Sequence, residues 1–463
     1  MSSSNSIHTP QVHSNLGTNP FTTPLRLSRA PSVDERSSNG RPQSYFPAIA
    51  ANGTHTRRRK FKSARLVEGE YDEKPWASTK HPKLKWERGI FYGSVVIGVA
   101  IGAIICYMAY ASVTNHDYCI ILDDSFHDID ESTWSYEIQR GGFGSGSFEW
   151  TTKDPKNAYT DADGLHIVPT LTTESTDITN DQLTDNYVLN LTTTGECTTT
   201  GVDNCSIRSN KTAGTIINPV RSARLSTKGK KSILYGKVEV VAKMPQGAWL
   251  WPAIWMMPQD SKYGEWPKSG EIDIAESRGN AGDDYAASGG RDSLISALHW
   301  GPVPEADAFY KTSGQHRVRR TDYSETFHTF GLEWSENYLF TYIDSRLLQV
   351  FFIKFNKGHR NMWDRGGFGQ SIVNHSALYD PWSQTGRPNT PFDQPFYLIL
   401  DVAVGGTNGF FPDQVGNKPW GDQSGTAMKE FWDAQSSWYS TWGEGDKRGL
   451  TVKSVKMYKE GAC

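Results

Sequence analysis

Three carboxylates stand close together in the stretch Gly270–Glu276, which reads Gly-Glu-Ile-Asp-Ile-Ala-Glu. The apolar residues between them predict a buried strand, and side chains on a strand alternate between its two faces. Glu271 and Asp273 therefore share one face, whereas Glu276, five positions after Glu271, would point to the other. We expect a β-bulge at Ile274-Ala275, because one extra residue shifts the alternation by one step. All three acids then line one cleft.

Such an arrangement suits the cleavage of a glycosidic bond with retention of configuration. That reaction needs a carboxylate nucleophile and a carboxylic acid about 5 to 5.5 Å apart. Glu271 and Glu276 are the candidates for these roles, and Asp273 would orient the nucleophile and separate the two proton affinities. Three acids on a strand are also compatible with a solvated face, and the E-x-D-x-x-E pattern arises by chance in about one chain in ten of this length. The neighbouring segments therefore decide between a catalytic site and a solvated acidic face.

Those segments resemble glycoside hydrolase family 16, in the branch that holds endo-β-1,3-glucanases (laminarinases) and β-1,3-glucan recognition proteins. The matching segments, besides the carboxylate stretch, are Leu250–Pro258, Trp266-Pro267, Leu298–Pro302, Phe327–Trp334 and Pro395–Gly406. The resemblance covers roughly residues 119–463. It implies a concanavalin A-like β-jelly roll, a β-glucan partner, a sugar contact for Trp266 and a polar role for His299. Many members carry Asn in place of Asp401, and this change bears on specificity more than on catalysis.

Tryptophans in front of the acids are candidates for sugar binding. Trp249, Trp251 and Trp255 fall at alternate positions of one predicted strand and so share a face. Indole rings in an open cleft stack on the apolar faces of sugars, although core packing is the alternative for each of them. We expect Trp251, Trp255, Trp266 and His299 to bind substrate, with a satisfied structural histidine as the alternative for His299.

From Cys119 onward the sequence predicts an all-β domain over residues 119–463. Short apolar runs alternate with turns rich in Gly, Asn, Asp and Pro, and hardly any stretch has a helical period. A two-sheet antiparallel β-sandwich, the β-jelly roll of the family that it resembles, is the natural architecture.

The N-terminal part predicts a membrane anchor. Residues 1–88 are rich in Ser, Pro, Asn and Arg and predict a disordered tail. Its basic cluster, Arg57–Lys62, has the composition of a nucleic-acid or nuclear-address patch. A membrane-proximal role is favoured, and no nucleic-acid partner is expected, because the uncharged apolar run Gly89–Ala111 follows. Its 23 residues span a bilayer core of roughly 30 Å as one helix.

Lysines and arginines crowd the N-terminal side of this helix, which places the tail, residues 1–88, in the cytosol. The linker, residues 112–118, and the β-domain then lie in the lumen or outside, as in a single-pass type II membrane protein. Two G-x-x-x-G patterns, Gly89/Gly93 and Gly98/Gly102, would permit close helix pairing, so a homodimer through the lipid-embedded helix is left open.

Four cysteines lie beyond the span, and an even count in an oxidising compartment predicts disulfides. Cys197 and Cys205 are near enough to close a short loop, which leaves Cys119 to pair with Cys463 and tie the first strand to the last. Glycosylation sequons beyond the span begin at Asn190, Asn204, Asn210 and Asn374.

The sequence lacks G-x-S-x-G, H-E-x-x-H and C-x-x-C motifs, which argues against a serine hydrolase, a zinc protease and a thiol oxidoreductase. No metal or cofactor is expected; a structural calcium ion at Asp123-Asp124, as in some family members, is not established by sequence. The prediction is a membrane-anchored retaining endo-β-1,3-glucanase of cell-wall glucan metabolism, acting by hydrolysis or transglycosylation. Its layout resembles that of fungal membrane proteins associated with β-glucan assembly. The alternatives are a non-catalytic β-1,3-glucan receptor and, more remotely, a structural scaffold.

Overall fold

The computed structural model describes residues 82–111, 116–283, 285, 288–355 and 361–463. The chain divides into two compact units, Pro24–Asn115 and a second one that includes His116–Cys463. Residues 1–81 of the predicted tail and residues 112–115 of the predicted linker lie outside the described residues.

In the first unit the structure describes one long helix, α1 (Lys83–Ala111). It begins six residues before the predicted span, because Lys, Leu, Glu and Arg all favour a helix. Residues 83–88, which the sequence assigns to the disordered tail, are therefore helical. The 29 residues of α1 correspond to about 44 Å, and by length and composition α1 is able to cross a membrane.

The second unit is built mainly from strands, as the alternating sequence pattern predicts. Within the described residues the strands are β1 (Tyr118–Asp124), β2 (Ser135–Tyr136), β3 (Glu149–Thr151), β4 (Ala158–Asp161), β5 (Gly164–Ile167), β6 (Thr170–Leu171), β7 (Val188–Asn190), β8 (Ser206–Arg208), β9 (Val220–Ser222), β10 (Arg224–Ser226), β11 (Gly236–Lys243), β12 (Leu250–Pro258), β13 (Glu271–Ser277), β14 (Ser293–His299), β15 (Ser313–Arg317), β16 (His328–Trp334), β17 (Tyr338–Ile343), β18 (Ser345–Lys354), β19 (Ile372–Val373), β20 (Ser376–Ala377), β21 (Phe396–Val404) and β22 (Leu450–Glu460).

Short helices lie in the connections between the strands. They are α2 (Thr172–Ser175), α3 (Asn180–Thr184), α4 (Val202–Cys205), α5 (Met362–Gly366), α6 (Ala427–Asp433) and α7 (Gln435–Trp438). Single 3-10 turns occur at Gly142–Gly144, Pro304–Ala306, Phe309–Lys311, Phe368–Gln370, Tyr439–Thr441 and Gly445–Arg448.

Two large antiparallel sheets form a sandwich, which confirms the predicted fold. The outer sheet has the strand order β18-β17-β16-β11-β22-β5-β4, with β1 also paired to β22. The cleft sheet has the order β15-β14-β13-β12-β21-β10-β2 and carries the three carboxylates on β13. Apolar side chains from both sheets, such as Val238 and Val240 of β11 and Leu398 and Leu400 of β21, form a common core and are fully buried. Burial on this scale holds the cleft sheet rigid from behind.

Both predicted disulfides are present in the structure. One joins Cys119 to Cys463 and ties β1 to the C-terminus after β22, and the other joins Cys197 to Cys205. The asparagines of the four predicted sequons all lie in the second unit; Asn210 and Asn374 are exposed, and the other two are half-buried. These pairs and positions fit an oxidising, glycosylating compartment, and glycosylation itself stays a prediction.

Candidate active site

A bulge on β13 brings the three carboxylates to one face. Across β14, Asp273 pairs with Ala297 and Glu276 pairs with Ile295, so three steps along β13 match two along β14. The pairing with β12 contains the same extra residue. The predicted bulge at Ile274-Ala275 is therefore confirmed, and the charges of Asp273 and Glu276 act on each other.

The carboxylate of Glu271 lies beneath an accessible tryptophan. Trp266 Nε1 donates to Glu271 Oε2 at 2.6 Å, and the Trp266 side chain is 39% exposed. Its ring lies 5.9 Å from the ring of His299. Trp266 thus orients a carboxylate with its N–H and leaves its ring surface open, which is the arrangement that a sugar contact requires.

Asp273 is almost completely buried and faces a histidine on the neighbouring strand. His299 Nε2 lies 3.2 Å from Asp273 Oδ2, and its other ring nitrogen, Nδ1, lies 2.5 Å from Asp307 Oδ2. Asp307 is held in turn, because its second oxygen accepts the backbone N–H of Trp300 at 3.1 Å. The imidazole is therefore fixed between two carboxylates, in agreement with the predicted polar role of His299 beside the acids.

Glu276 has a separate partner at the other end of β13. Trp251 Nε1 donates to Glu276 Oε1 at 2.8 Å. The Trp251 ring is stacked on Phe410, with centroids 3.9 Å apart and planes 6° from parallel. The guanidinium of Arg278 lies 4.5 Å from the Phe410 centroid and also donates to the Phe410 carbonyl. One face of Trp251 is therefore already covered, so its visible role is to donate a hydrogen bond to Glu276 rather than to offer both faces to a sugar.

Trp255 belongs to a third polar group on the cleft sheet. Its Nε1 donates to Asp401 Oδ1 at 2.7 Å, and the Arg224 guanidinium lies 4.6 Å from its ring centroid. Arg224 also donates to Glu137 at 2.7 Å. The carboxylate of Asp401, where many relatives were expected to have Asn, thus accepts from an indole N–H beside a cation.

Trp249 does not share the face of Trp251 and Trp255, so that expectation is wrong. It precedes β12 and has a left-handed backbone, with φ of 70°. This turns the side chain into the core, where it is 2% exposed and its ring lies 5.0 Å from that of Trp420. Strand alternation does not apply to a residue outside the strand.

Comparison with known proteins gives the family of this domain. Residues 182–362 match the family model described as glycosyl hydrolases family 16. A β-1,3-glucan-binding protein of Penaeus monodon is 38% identical to the chain over 377 residues, which are 80% of this chain and 98% of that protein. The chain belongs to glycosyl hydrolase family 16.

Other similar proteins match a smaller part of the chain. A glucan endo-1,3-β-glucosidase of Cryptopygus antarcticus is 36% identical over 193 residues, 41% of this chain and 58% of that protein. The solved laminarinase catalytic domain of Thermotoga maritima MSB8 is 23% identical, with a TM-score of 0.45, over 75% of this chain and 100% of that chain. The names of these relatives include both glucan-cleaving and glucan-binding proteins, so the side chains of the site carry the functional argument.

Burial raises the pKa of each of the three carboxyls on β13. For Glu276 it raises the pKa to about 7, although His299 and the N–H of Trp251 act in the opposite direction. The titrations of Glu271 and Asp273 are coupled, and burial raises the pKa of both. The negative charge of Asp273 raises the pKa of Glu271 further, and that of Glu276 raises the pKa of Asp273. Glu271 and Asp273 therefore titrate as a pair that shares a proton near neutral pH.

The donor set at the carboxylates also has the composition of a metal site. Glu271, Asp273 and His299 each place a ligand atom within 4.8 Å of the others. Burial lowers the pKa of His299, but the two flanking carboxylates, led by Asp273, outweigh burial and raise it well above the usual value. Both ring nitrogens of His299 face carboxylates in this structure, Nε2 facing Asp273 and Nδ1 facing Asp307, which is the arrangement of an ion-paired acid cluster.

The pair Asp123-Asp124, where the sequence did not establish a calcium ion, is engaged by other groups of the protein. Asp123 forms an ion pair with Lys456 at 3.3 Å, and Asp124 accepts from Trp134 Nε1 and from the Phe126 N–H, each at 2.8 Å. That the protein needs no metal or cofactor stays a prediction.

Several residues that contact the predicted site residues were not themselves predicted from the sequence to belong to the site. They are Asp307 on His299, Phe410 and Arg278 behind Trp251, Arg224 beside Trp255, and Phe309, whose ring is stacked on His299. Asp307 and Phe309 lie in the loop directly after β14, and Phe410 comes from a loop far along the chain. Arg278 follows β13 directly, and Arg224 is on β10. The only sequence signal was aromatic composition in the loops that follow recognised motifs.

Proposed function

We propose that this protein is a retaining endo-β-1,3-glucanase with Glu271 as nucleophile and Glu276 as acid/base. The observation that carries the proposal is the bulge on β13, which brings both glutamates to one face and gives each its own indole N–H donor. A solvated acidic strand would have no reason to bury Asp273, to half-bury Glu271 and Glu276, and to hold these two glutamates with tryptophans.

In the first step Glu276, protonated below its raised pKa of about 7, gives its proton to the glycosidic oxygen. Glu271 attacks the anomeric carbon as the bond to that oxygen breaks, and a glycosyl-enzyme ester forms. Glu271 attacks in its ionised form, in which Asp273 is ion-paired with the His299 imidazolium. The His299 imidazolium limits the negative charge that accumulates beside the reacting carbon.

In the second step Glu276 is ionised and removes a proton from the incoming hydroxyl group, which attacks the anomeric carbon and releases Glu271. With water as the acceptor the reaction is hydrolysis; with a sugar hydroxyl it is transglycosylation. Both outcomes use the same two carboxylates, and both belong to the proposed role in cell-wall glucan metabolism.

The substrate assignment is supported by the relatives. The proteins of Penaeus monodon and Cryptopygus antarcticus are both named for β-1,3-glucan. Trp266 beside Glu271 offers an accessible ring of the kind that stacks on glucose residues.

We also propose that α1 anchors the protein as a single-pass type II membrane protein, with the sandwich in the lumen or outside the cell. Lys83, Lys85 and Arg88 lie in the first turns of α1, on the side that the positive-inside rule assigns to the cytosol. The two disulfides support an oxidising compartment for the sandwich.

A glucan receptor without turnover is the second candidate. The Penaeus monodon relative, 98% of which aligns with this chain, is named a β-1,3-glucan-binding protein. A receptor would bind the same chain of glucose residues and would need Trp266. It would not need an acid with a pKa near 7 beside a separate buried carboxylate pair.

The deciding experiment compares the full chain in detergent with Glu271→Gln and Glu276→Gln, using laminari-oligosaccharides and mass spectrometry. Both substitutions keep an acceptor oxygen for the indole N–H, so the site keeps its shape. We expect shortened products from the wild type, longer ones in addition if transglycosylation occurs, and a loss of at least about 1,000-fold in each variant. Binding without any product from the wild type would reject the enzyme and support the receptor.

An aryl β-laminaribioside with a good leaving group separates the two roles. Such a leaving group needs no proton, so Glu276→Gln should still release the phenol in the first step, whereas Glu271→Gln should not. Equal loss in both variants on this substrate would contradict the assignment of nucleophile and acid.

A further inference from the structure

Three aromatic side chains next to the carboxylates remain exposed. Trp266, Phe309 and Tyr310 are 39%, 36% and 51% exposed, and we call them the aromatic shelf. Large aromatic side chains at a protein surface generally mark a binding site when they are contiguous.

The shelf is continuous with the catalytic carboxylates. The Trp266 ring lies 5.9 Å from His299, the His299 ring is stacked on Phe309 at 5.0 Å and 18°, and Tyr310 lies edge-on to Phe309 at 6.3 Å. Trp266 bonds Glu271 directly. The aromatic shelf therefore extends outward from Glu271, past the His299 ring, to Tyr310, its most exposed member.

The shelf is held from below before any ligand arrives. Ala308, in front of Phe309, is 1% exposed and donates its N–H to the Trp300 carbonyl at 2.9 Å. The Phe309 N–H points to Asp307 Oδ1 at 3.3 Å, and the Lys311 ammonium donates to the carbonyls of residues 365 and 366 at the end of α5. Anchored rings lose little entropy when a ligand binds.

We propose that Phe309 and Tyr310 form an additional glucan-binding subsite, which contacts glucose residues beyond those at Glu271 and Glu276. The inference rests on the proposed glucan substrate and adds chain-length preference to it. Flat apolar sugar faces match exposed rings, and continuity with the carboxylates names the same polysaccharide as the occupant. Longer chains then bind more tightly than short ones because they reach the shelf.

The test measures binding of laminarihexaose to the full chain in detergent, in a Glu271→Gln background that prevents turnover. Tyr310→Ala should raise the Kd about 3- to 10-fold, and Tyr310→Phe, which keeps the ring, should restore it. Phe352→Ala removes a comparably exposed ring, 46% exposed on β18 of the outer sheet, and should leave the Kd unchanged. Tyr310 is half exposed, so its removal does not threaten folding.

A second readout uses the aryl β-laminaribioside with wild-type Glu271. Tyr310→Ala should leave kcat/KM on this short substrate within about twofold, because productive binding there does not need the shelf. Three results would each overturn the subsite. They are an unchanged Kd for laminarihexaose in Tyr310→Ala, no laminarihexaose binding by the Glu271→Gln background, and a loss of kcat/KM on the short substrate as large as the loss of hexaose affinity. If the wild type turns over nothing, the enzyme proposal fails alone, since the binding measurement still decides the shelf.

Discussion

The substitution Trp251→Phe tests whether the indole N–H tunes the acid/base. It removes the 2.8 Å hydrogen bond to Glu276 Oε1 and keeps an aromatic ring stacked on Phe410. The N–H stabilises the ionised form of Glu276, so its loss must raise the pKa of Glu276 above the present value of about 7.

The size of the effect follows from the charge on the acceptor. A hydrogen bond to a charged group contributes about 1.5 to 3 kcal/mol, and water entering the vacated space replaces part of it. At about 1.4 kcal/mol per unit, the pKa should rise by about one unit. Because Glu276 must be protonated in the first step, the alkaline limb of kcat/KM should move up in pH by the same amount.

The assay is the pH dependence of kcat/KM on laminari-oligosaccharides between about pH 4 and pH 10. Trp255→Phe is the matched control, because Trp255 lies on the same strand but donates to Asp401, so the alkaline limb should stay where it is. An alkaline limb that does not move in Trp251→Phe, or that moves down, would refute the reasoning about Glu276.

Three further predictions concern stability and topology. Burial raises the pKa of Asp401 from 3.8 to about 6, so ionisation of Asp401 destabilises the folded state of the wild type as pH rises through that range. Asn does not ionise, so the free energy of unfolding of Asp401→Asn, measured with denaturant, should increase relative to that of the wild type by up to about 3 kcal/mol between pH 4 and pH 7. An equal difference at both pH values would contradict this. Removing the Cys119–Cys463 disulfide, which joins residues 344 apart, should lower the free energy of unfolding by about 2 to 5 kcal/mol, and more than removal of the 8-residue Cys197–Cys205 link. Endoglycosidase treatment of the full chain from microsomes should increase its gel mobility. Asn52→Gln, which removes the sequon Asn52-Gly-Thr in the predicted cytosolic tail, should not alter that mobility. The opposite pattern would reverse the topology.

The local chemistry of the site was accessible from the sequence. The spacing of the acids in Gly270–Glu276 predicted the bulge, because strand alternation leaves one residue to absorb and a β-bulge absorbs one. The cysteine positions predicted the disulfide pairing, and the apolar run before residue 111 predicted a helix long enough to cross a bilayer. Its start was placed six residues late, since charged residues with high helix propensity extend a helix beyond its apolar part.

The surroundings of the catalytic groups were decided by the tertiary structure. Periodicity says which residues share a face of one strand, but it does not say which loop residues arrive beside them. Asp307 on His299 and Phe410 on Trp251 depend on the path of irregular loops and on long-range packing. Trp249 illustrates the same limit, because its own left-handed backbone, directly before β12, turns its side chain into the core. The sequence by itself thus determined the reacting groups, their common face and the fold class, which follow from local spacing. Only the folded sandwich decided their hydrogen-bond donors, their raised pKa values and the exposed aromatic shelf, because these depend on the path of loops and the pairing of strands, which local spacing does not specify.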